Sequence, residues 1–246
     1  MRMSPAVLAI LLIPAALFAD FFDVVSSGTA AEVQAALASG AGVNTRDKQG
    51  WTPLMHAAQF TMDPRVIALL VKAGARVSDR DAGGWTALSI AARYNARPEV
   101  IDALLAAGAD VNGKDAEGET PVMVAAGSST SLAVMMALLK AGARVDERNG
   151  QKAAALHLAA MLNPQPAVIT ALLRAGARVD EPDGAGKTPL MLAARFTVNP
   201  LVVSALLAAG ADRRRKSAEG KTARQYGAAN PALAGTPQLK ALAGFR

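Results

Sequence analysis

A glycine recurs every 34 residues through most of the chain, and this spacing constrains the fold more than any other feature of the sequence. Paired alanines keep the same spacing, from Ala57 and Ala58 in the first copy to Ala193 and Ala194 in the last. A period sustained over so many copies indicates a solenoid, in which each unit buries its apolar side against its neighbours. The glycines in this register are Gly40, Gly74, Gly108, Gly142, Gly176 and Gly210.

One unit of the repeat, residues 50–83, shows how the chain folds locally. Thr52 and Pro53 are typical of a helix start, because the hydroxyl can cap the helix and proline lacks an N–H that would be unpaired there. Asp63 and Pro64 repeat that signal for a second helix, whose apolar residues follow at helical spacing. A glycine ends the second helix, because glycine tolerates the left-handed conformation. The unit is therefore predicted to be a helix, a turn, a helix and a polar hairpin-like loop.

The motifs Gly-x-Thr-Pro-Leu, the alanine pair, Val-Ile-x-x-Leu-Leu and Ala-Gly-Ala-x-Val resemble the ankyrin repeat over nearly all of residues 20–246. The resemblance implies an all-α, ankyrin-type helix-turn-helix solenoid with hairpin-like loops. The usual ankyrin unit has about 33 residues, and we place the extra residue between the two helices. We predict an N-terminal cap at 20–49 with helices shorter than the internal ones, five full repeats at 50–219, and a C-terminal cap at 220–246. The five repeats are called units 1 to 5 below.

The fourth unit departs from the pattern at its start. Lys-Ala-Ala-Ala-Leu stands at 152–156, where Gly-x-Thr-Pro-Leu is expected. Because a lost threonine cap costs about 1 kcal/mol, this helix start is predicted to be a weak point of the array. The resemblance implies that His157, in the same unit, supports a loop through hydrogen bonds.

Residues 1–19 have a different character from the repeats. Arg2 precedes an apolar stretch that ends just before Asp20, which is typical of a secretory signal. The apolar stretch is shorter than the roughly 20 residues that a membrane-spanning helix needs. We therefore predict a signal peptide at 1–19 and a periplasmic or secreted protein. An apolar helix packed on the repeat domain is the alternative.

The residue types present limit the chemistry of the chain. It has no cysteine, which excludes disulfides, thiolate metal clusters and thiol nucleophiles. The two histidines lie far apart in sequence, and the loop aspartates are interpreted as turn formers. The Gly-Lys-Thr strings at 186–188 and 220–222 lack the upstream glycine of a phosphate-binding loop. The sequence thus contains no set of residues expected of an enzyme, and we predict no catalysis, no cofactor and no metal site.

Function is then expected to depend on the concave face that the resemblance implies, formed by the loops and the first helices. Trp51 and Trp85 stand between the glycine and threonine of their units and are expected to lie side by side as one aromatic anchor for a protein partner. Lysines further along the array are expected to steer an acidic region of that partner. Packing of the aromatic residues inside the loops and inter-helix turns is the alternative. The predicted partner-binding residues are Trp51, Trp85, Arg93, Tyr94, Glu119, Met161, Lys187, Arg195 and Lys221.

A net charge of +6 supports a second hypothesis. The densest basic run would dock the C-terminal end on an anionic membrane surface or an acidic macromolecule, although such runs are usually just solvated. Nucleic acid is disfavoured because we expect export, and a monomer is expected. The run consists of Arg213, Arg214, Arg215 and Lys216.

Overall fold

The protein is described by a computed structural model that covers residues 20–128 and 131–244. These residues form fourteen α-helices and one short 3-10 helix, with no strand among them. The predicted signal peptide lies outside the described residues. The first helices, from the N-terminal cap to the C-terminal cap, are Phe21–Ser27, Pro53–Phe60, Ala87–Tyr94, Pro121–Gly127, Ala155–Leu162, Pro189–Phe196 and Ala223–Gly227. The second helices are Ala30–Ala38, Pro64–Lys72, Pro98–Ala106, Leu132–Lys140, Pro166–Arg174 and Leu201–Ala208, and the chain closes with the 3-10 helix Pro231–Leu233 and the helix Pro237–Ala241.

The helices form two layers, because each first helix packs on the first helices of the adjacent units and each second helix packs on second helices. The alanine pairs lie in the first layer, where Ala57 and Ala58 are fully buried and their small side chains let neighbouring helices approach closely. Apolar side chains of both layers, such as Leu54 and Ile67, share one core along the array. The predicted all-α helix-turn-helix solenoid is confirmed. In the described part of the chain, no helix has both the length and the apolar character required to cross a membrane.

The N-terminal cap differs from the sequence-based prediction in one respect. Its first helix has seven residues, one fewer than in unit 1, but its second helix has nine residues, as many as the second helix of unit 1. The Thr29 hydroxyl accepts the backbone N–H of Glu32, while the Glu32 carboxylate accepts the backbone N–H of Thr29 at 2.7 Å. This reciprocal cap stabilises a full-length helix. The prediction of a shortened second cap helix is therefore wrong.

The helix start of unit 4 lacks a threonine cap, and His157 forms a different contact there. His157 Nδ1 accepts the backbone N–H of Ala154 at 3.1 Å, so Nε2 carries the proton and donates to the carbonyl of Glu181 at 2.9 Å. Burial is the main cause that lowers the pKa of His157, which keeps the ring neutral and preserves this arrangement. The predicted loop-supporting role of His157 is confirmed. The predicted loss of the threonine cap is confirmed, because Ala154 offers no side-chain acceptor to the first turn, and His157 pairs the backbone N–H of Ala154 instead.

Buried asparagines connect the inter-helix turns of neighbouring units. Asn95 Nδ2 donates to the carbonyls of Ala58 and Thr61, both at 3.1 Å, and Asn95 Oδ1 accepts the backbone N–H of Arg97. Carbonyls at the end of a helix have no intrahelical donor, so the asparagine of the next unit satisfies them. The same bridge joins Asn163 to Ala126 and Ser128, and Asn230 to Ala194 and Thr197.

We predict that Asn95→Ala lowers the free energy of unfolding by about 2 kcal/mol, because two carbonyls of the preceding unit lose their donor in a buried site. Urea unfolding followed by circular dichroism measures this change. Asn95→Thr separates the two roles of the side chain. Thr61 is the equivalent residue of unit 1. Its hydroxyl accepts the backbone N–H of Asp63 and makes no hydrogen bond to another unit within the described residues. The threonine variant should keep the local turn and still lose stability. Gln34→Ala on the exposed cap surface serves as the control, and unchanged stability in both Asn95 variants would contradict the prediction.

Candidate functional site

One side chain organises each hairpin-like loop. Asp81 Oδ1 accepts the backbone N–H groups of Gly83 and Trp85, both at 2.9 Å. Adjacent loops are joined at their tips, for example by the N–H of Ala116 donating to the carbonyl of Gly83 at 3.0 Å. Gly84 is required here, because its φ is +78° and an added Cβ would lie 2.8 Å from the nitrogen of Ala116. The loops therefore form a continuous hydrogen-bonded row, and the side-chain pattern recurs at Asp47, Asp115, Asn149 and Asp183.

The two tryptophans are partly buried in this row of loops, and each has its own contacts. Trp51 Nε1 donates to Asp81 Oδ2 at 3.0 Å, and the Trp51 ring stands edge-on to His56. Trp85 lies instead against Arg93, whose guanidinium carbon is 5.5 Å from the ring centroid. Within the described residues the two indole rings do not contact each other. The two tryptophans are nevertheless neighbours, because both hydrogen-bond Asp81, and their binding of a partner stays a prediction.

His56 fixes the first loop to the N-terminal cap. Its Nε2 lies 2.7 Å from Asp47 Oδ2, and its ring centroid is 4.9 Å from that of Phe22 in the cap. Burial opposes ionisation of Asp47, but the hydrogen bonds from His56 and from the backbone of Trp51 outweigh it and hold the pKa of Asp47 below its ordinary value. These contacts stabilise the end of the array. They also occupy Nε2 of His56.

Four first helices end in an exposed apolar residue, and the corresponding position in unit 3 is Ser128. These positions are separated by 34 residues or a multiple of 34, so they occupy the same place in their units. About half of each side chain is open to solvent. We call this set the aromatic row: Phe60 and Tyr94, each 51% exposed, Leu162, 55% exposed, and Phe196, 45% exposed.

Arginines flank two members of the aromatic row. Arg93 and Arg195 each precede an aromatic residue and lie over its ring, 5.5 Å from the centroid of Tyr94 and 4.9 Å from that of Phe196. Both arginines are exposed, while Met161 at the equivalent position is partly buried. Cation–π contact orders the rings without removing the positive charge from the surface. This part of the predicted set, Arg93, Tyr94, Met161 and Arg195, therefore lies together with the aromatic row.

Three other predicted residues are engaged within the protein. Lys187 and Lys221 both contact the carboxylate of Glu219, at 3.3 and 3.0 Å, and together they lower the pKa of Glu219 to about 2. Their charge is partly neutralised, so they offer less steering than the sequence suggested. Glu119 accepts a hydrogen bond from Asn149 Nδ2 at 3.1 Å, and burial raises the pKa of Glu119.

Two residues of the predicted basic patch are engaged within the protein, Arg213 with the C-terminal cap and Arg215 with the loop before the helix Pro189–Phe196. Arg213 donates to the carbonyl of Ala241 at 3.0 Å, and Arg215 donates to the carbonyl of Asp180 at 2.7 Å. Arg214 is different, because its side chain is 90% exposed. Arg213 and Arg214 also line a surface cavity of about 870 Å³ together with Arg224. Lys216 is exposed as well.

Sequence reasoning missed a ladder of basic side chains. Arg46 donates to the carbonyl of Arg80, Arg80 to that of Lys114, and Lys114 to that of Arg148. The signal was present, because a basic residue precedes the loop aspartate or asparagine in four successive copies. Three basic side chains thus connect neighbouring loops.

Comparison with known protein families finds a match. A family model described as "Ankyrin repeats (3 copies)" matches residues 21–115, 95–183 and 156–234, which together cover most of the chain. A comparison with curated proteins finds no match.

We predict that the Glu219 carboxyl titrates near pH 2, well below its ordinary value of 4.5. Because its pKa is depressed in the folded protein, any stability from this contact is present above pH 4.5 and is lost as the pH falls toward 2. Side-chain carbon chemical shifts in an NMR titration measure the pKa. Replacing Lys187 and Lys221 with methionine should move it up toward 4.5, whereas Lys72→Met, distant in the sequence, should not. A double variant with the original titration would contradict the assigned cause.

Proposed function

Because the chain belongs to the ankyrin repeat family, whose members generally serve as protein-interaction scaffolds, we propose that it is a non-enzymatic scaffold that binds a protein partner through the face carrying the aromatic row. One observation supports this most. The same helix position in four units holds an apolar side chain that is about half exposed. Aromatic residues and arginine contribute most to the free energy of binding when a partner buries them.

Preorganisation is the proposed mechanism of binding. Helix ends hold the aromatic row, the buried asparagines connect those ends between units, and Arg93 and Arg195 lie over two of the rings. Few side chains then have to be ordered on association, which reduces the entropic cost of binding. A concave arrangement of this face belongs to the proposal.

The proposed partner presents an apolar segment flanked by acidic groups. Arg93 and Arg195 are exposed beside the row, and they would meet carboxylates at the edge of the interface. Lys187 and Lys221 contribute less because Glu219 already pairs with them. Trp51 and Trp85 are part of the proposed surface at its loop side, where they are partly exposed.

Export is the second part of the proposal. The basic start and apolar stretch of residues 1–19 support a secretory signal, so we propose that the scaffold acts in the periplasm or outside the cell. We further propose that it acts as a monomer.

The first experiment identifies proteins that the immobilised chain retains from an extract and then measures their affinity by calorimetry. Combined Tyr94→Ala and Phe196→Ala substitutions are expected to weaken binding at least tenfold, because both rings would be buried in the interface. Met136→Ala provides a matched control, since Met136 is also 51% exposed but lies on a second helix. Full affinity in the double variant, with native circular dichroism and thermal unfolding, would rule out the aromatic row as the binding surface.

A different observation favours a second candidate function, in which the C-terminal end docks on an anionic membrane surface or acidic macromolecule. Arg214 is exposed beside a cavity that Arg224 also lines. Binding to phosphatidylserine-containing vesicles in a sedimentation assay should weaken with salt and fall several-fold in Arg214→Glu combined with Arg224→Glu. Lys72→Glu combined with Lys140→Glu is the charge-matched control, because both lysines are exposed at the ends of second helices. Binding that does not respond to salt would exclude this electrostatic form.

A further inference from the structure

The loop aspartates differ in what their second carboxylate oxygen contacts. Asp47 Oδ2 lies 2.7 Å from His56 Nε2, and Asp81 Oδ2 accepts the indole N–H of Trp51 at 3.0 Å. Asp115 is only 8% exposed, and its Oδ2 is buried without a hydrogen-bond partner among the described residues. Its Oδ1 already accepts two backbone N–H groups, so Oδ2 is the oxygen that lacks a partner. A buried carboxylate oxygen in this state is unfavourable unless something else pairs with it.

Two further carboxylates lie at the same place. Asp115, Glu117 and Glu119 occupy alternate positions of one short loop, and each offers an oxygen within 4.8 Å of those of the other two. Glu117 is exposed and Glu119 is partly buried. Burial raises the pKa of Glu119, and the negative charges of Asp115 and Glu117 raise it further. The loop therefore gathers acidic oxygens where burial and mutual repulsion already oppose their charge.

The neighbouring positive and donor groups do not resolve this repulsion. Arg93 acts on Glu119 electrostatically, but it lies over the rings of Trp85 and Tyr94 and forms no ion pair with the three carboxylates in the described part of the chain. Trp85 stands 34 residues after Trp51, yet no hydrogen bond runs from its indole to Asp115 within the described residues. Asn149 Nδ2 donates to Glu119 Oε1 only. A cation is therefore the missing partner that the geometry favours.

We propose that residues 115–119 form a calcium site in which Asp115, Glu117 and Glu119 are the carboxylate ligands and water completes the coordination. The donor set contains oxygen alone, which suits a hard cation and not zinc or copper. Calcium accepts six to eight oxygens in flexible geometry, whereas magnesium requires a nearly ideal octahedron. A site open to solvent on one side, through the exposed Glu117, is expected to be weak, with a Kd on the order of 1 mM.

The test uses the full chain and measures thermal unfolding at neutral pH with CaCl2, with MgCl2, and with NaCl at the same ionic strength. Calcium at about ten times the expected Kd should raise the Tm by about 3 to 5 °C above the NaCl sample, and magnesium should raise it less. Isothermal calorimetry should give one bound calcium per chain. No rise in the Tm beyond that in NaCl, or equal effects of magnesium and calcium, would overturn the proposal.

Asp115→Asn should abolish the calcium effect without disrupting the loop. Asparagine occupies the equivalent position at Asn149, where it makes the same two backbone contacts and donates to Glu119. Asp183→Asn is the matched control, because Asp183 makes the same backbone contacts in a loop that carries Ala185 and Lys187 in place of the glutamates. Retention of the calcium effect in Asp115→Asn, or its equal loss in Asp183→Asn, would overturn the assignment.

A proton shared between Glu119 and Asp115 is the competing partner. In that case lowering the pH from 7 to 5 would stabilise the wild-type chain while calcium would have no effect, and this result would also reject the calcium site. Glu117→Gln distinguishes the two further. It should weaken calcium binding about tenfold because it removes a ligand. With a shared proton there would be no calcium effect to weaken, and the variant should only reduce the stabilisation at pH 5, since the Glu117 charge raises the pKa of Glu119.

Discussion

Every unit of this protein buries its apolar face only against its neighbours, so the structure depends on contacts between units. Alanines at the contact between first helices allow those helices to approach, and the approach brings polar groups of adjacent units within hydrogen-bonding distance. Asn95 and Asn163 then satisfy carbonyls at the helix ends of the unit before them. Apolar packing and polar bridging are therefore two consequences of the same close spacing.

The charged side chains also have two roles, one in connecting the units and one at the surface. Arg46, Arg80 and Lys114 each donate a hydrogen bond to the following loop, so these positively charged side chains have a structural role. Lys187 and Lys221 are likewise held by Glu219. Part of the positive charge is thus engaged within the array, whereas Arg93 and Arg195 are exposed beside the aromatic row.

Repetition makes the exceptions informative. Five loops share one hydrogen-bonding pattern. They differ in what contacts the second oxygen or nitrogen of the side chain that accepts the two backbone N–H groups. A histidine completes one loop and a tryptophan another, while the loop at Asp115 brings two glutamates instead. In the same segment Thr120 is a buried helix-cap residue whose hydroxyl is also without a partner among the described residues. The middle of the array is therefore where the polar groups are least satisfied.

The sequence by itself determined the period, the start and end of most helices, and the small residues at the helix contacts. These depend on local rules, since Thr-Pro begins a helix and glycine ends one whatever lies nearby. The spacing of Asn95 and Asn163 and of the basic ladder was also visible in the sequence. That these side chains bridge units was not, because the carbonyls that accept their hydrogen bonds lie in neighbouring units. Only the tertiary structure decided that His157 pairs the N–H of Ala154, that Trp51 contacts Asp81 while Trp85 contacts Arg93, and that one oxygen of Asp115 has no partner among the described residues. These outcomes depend on distances of a few ångströms between side chains and the groups around them, often in adjacent units, and a repeat pattern does not encode such distances.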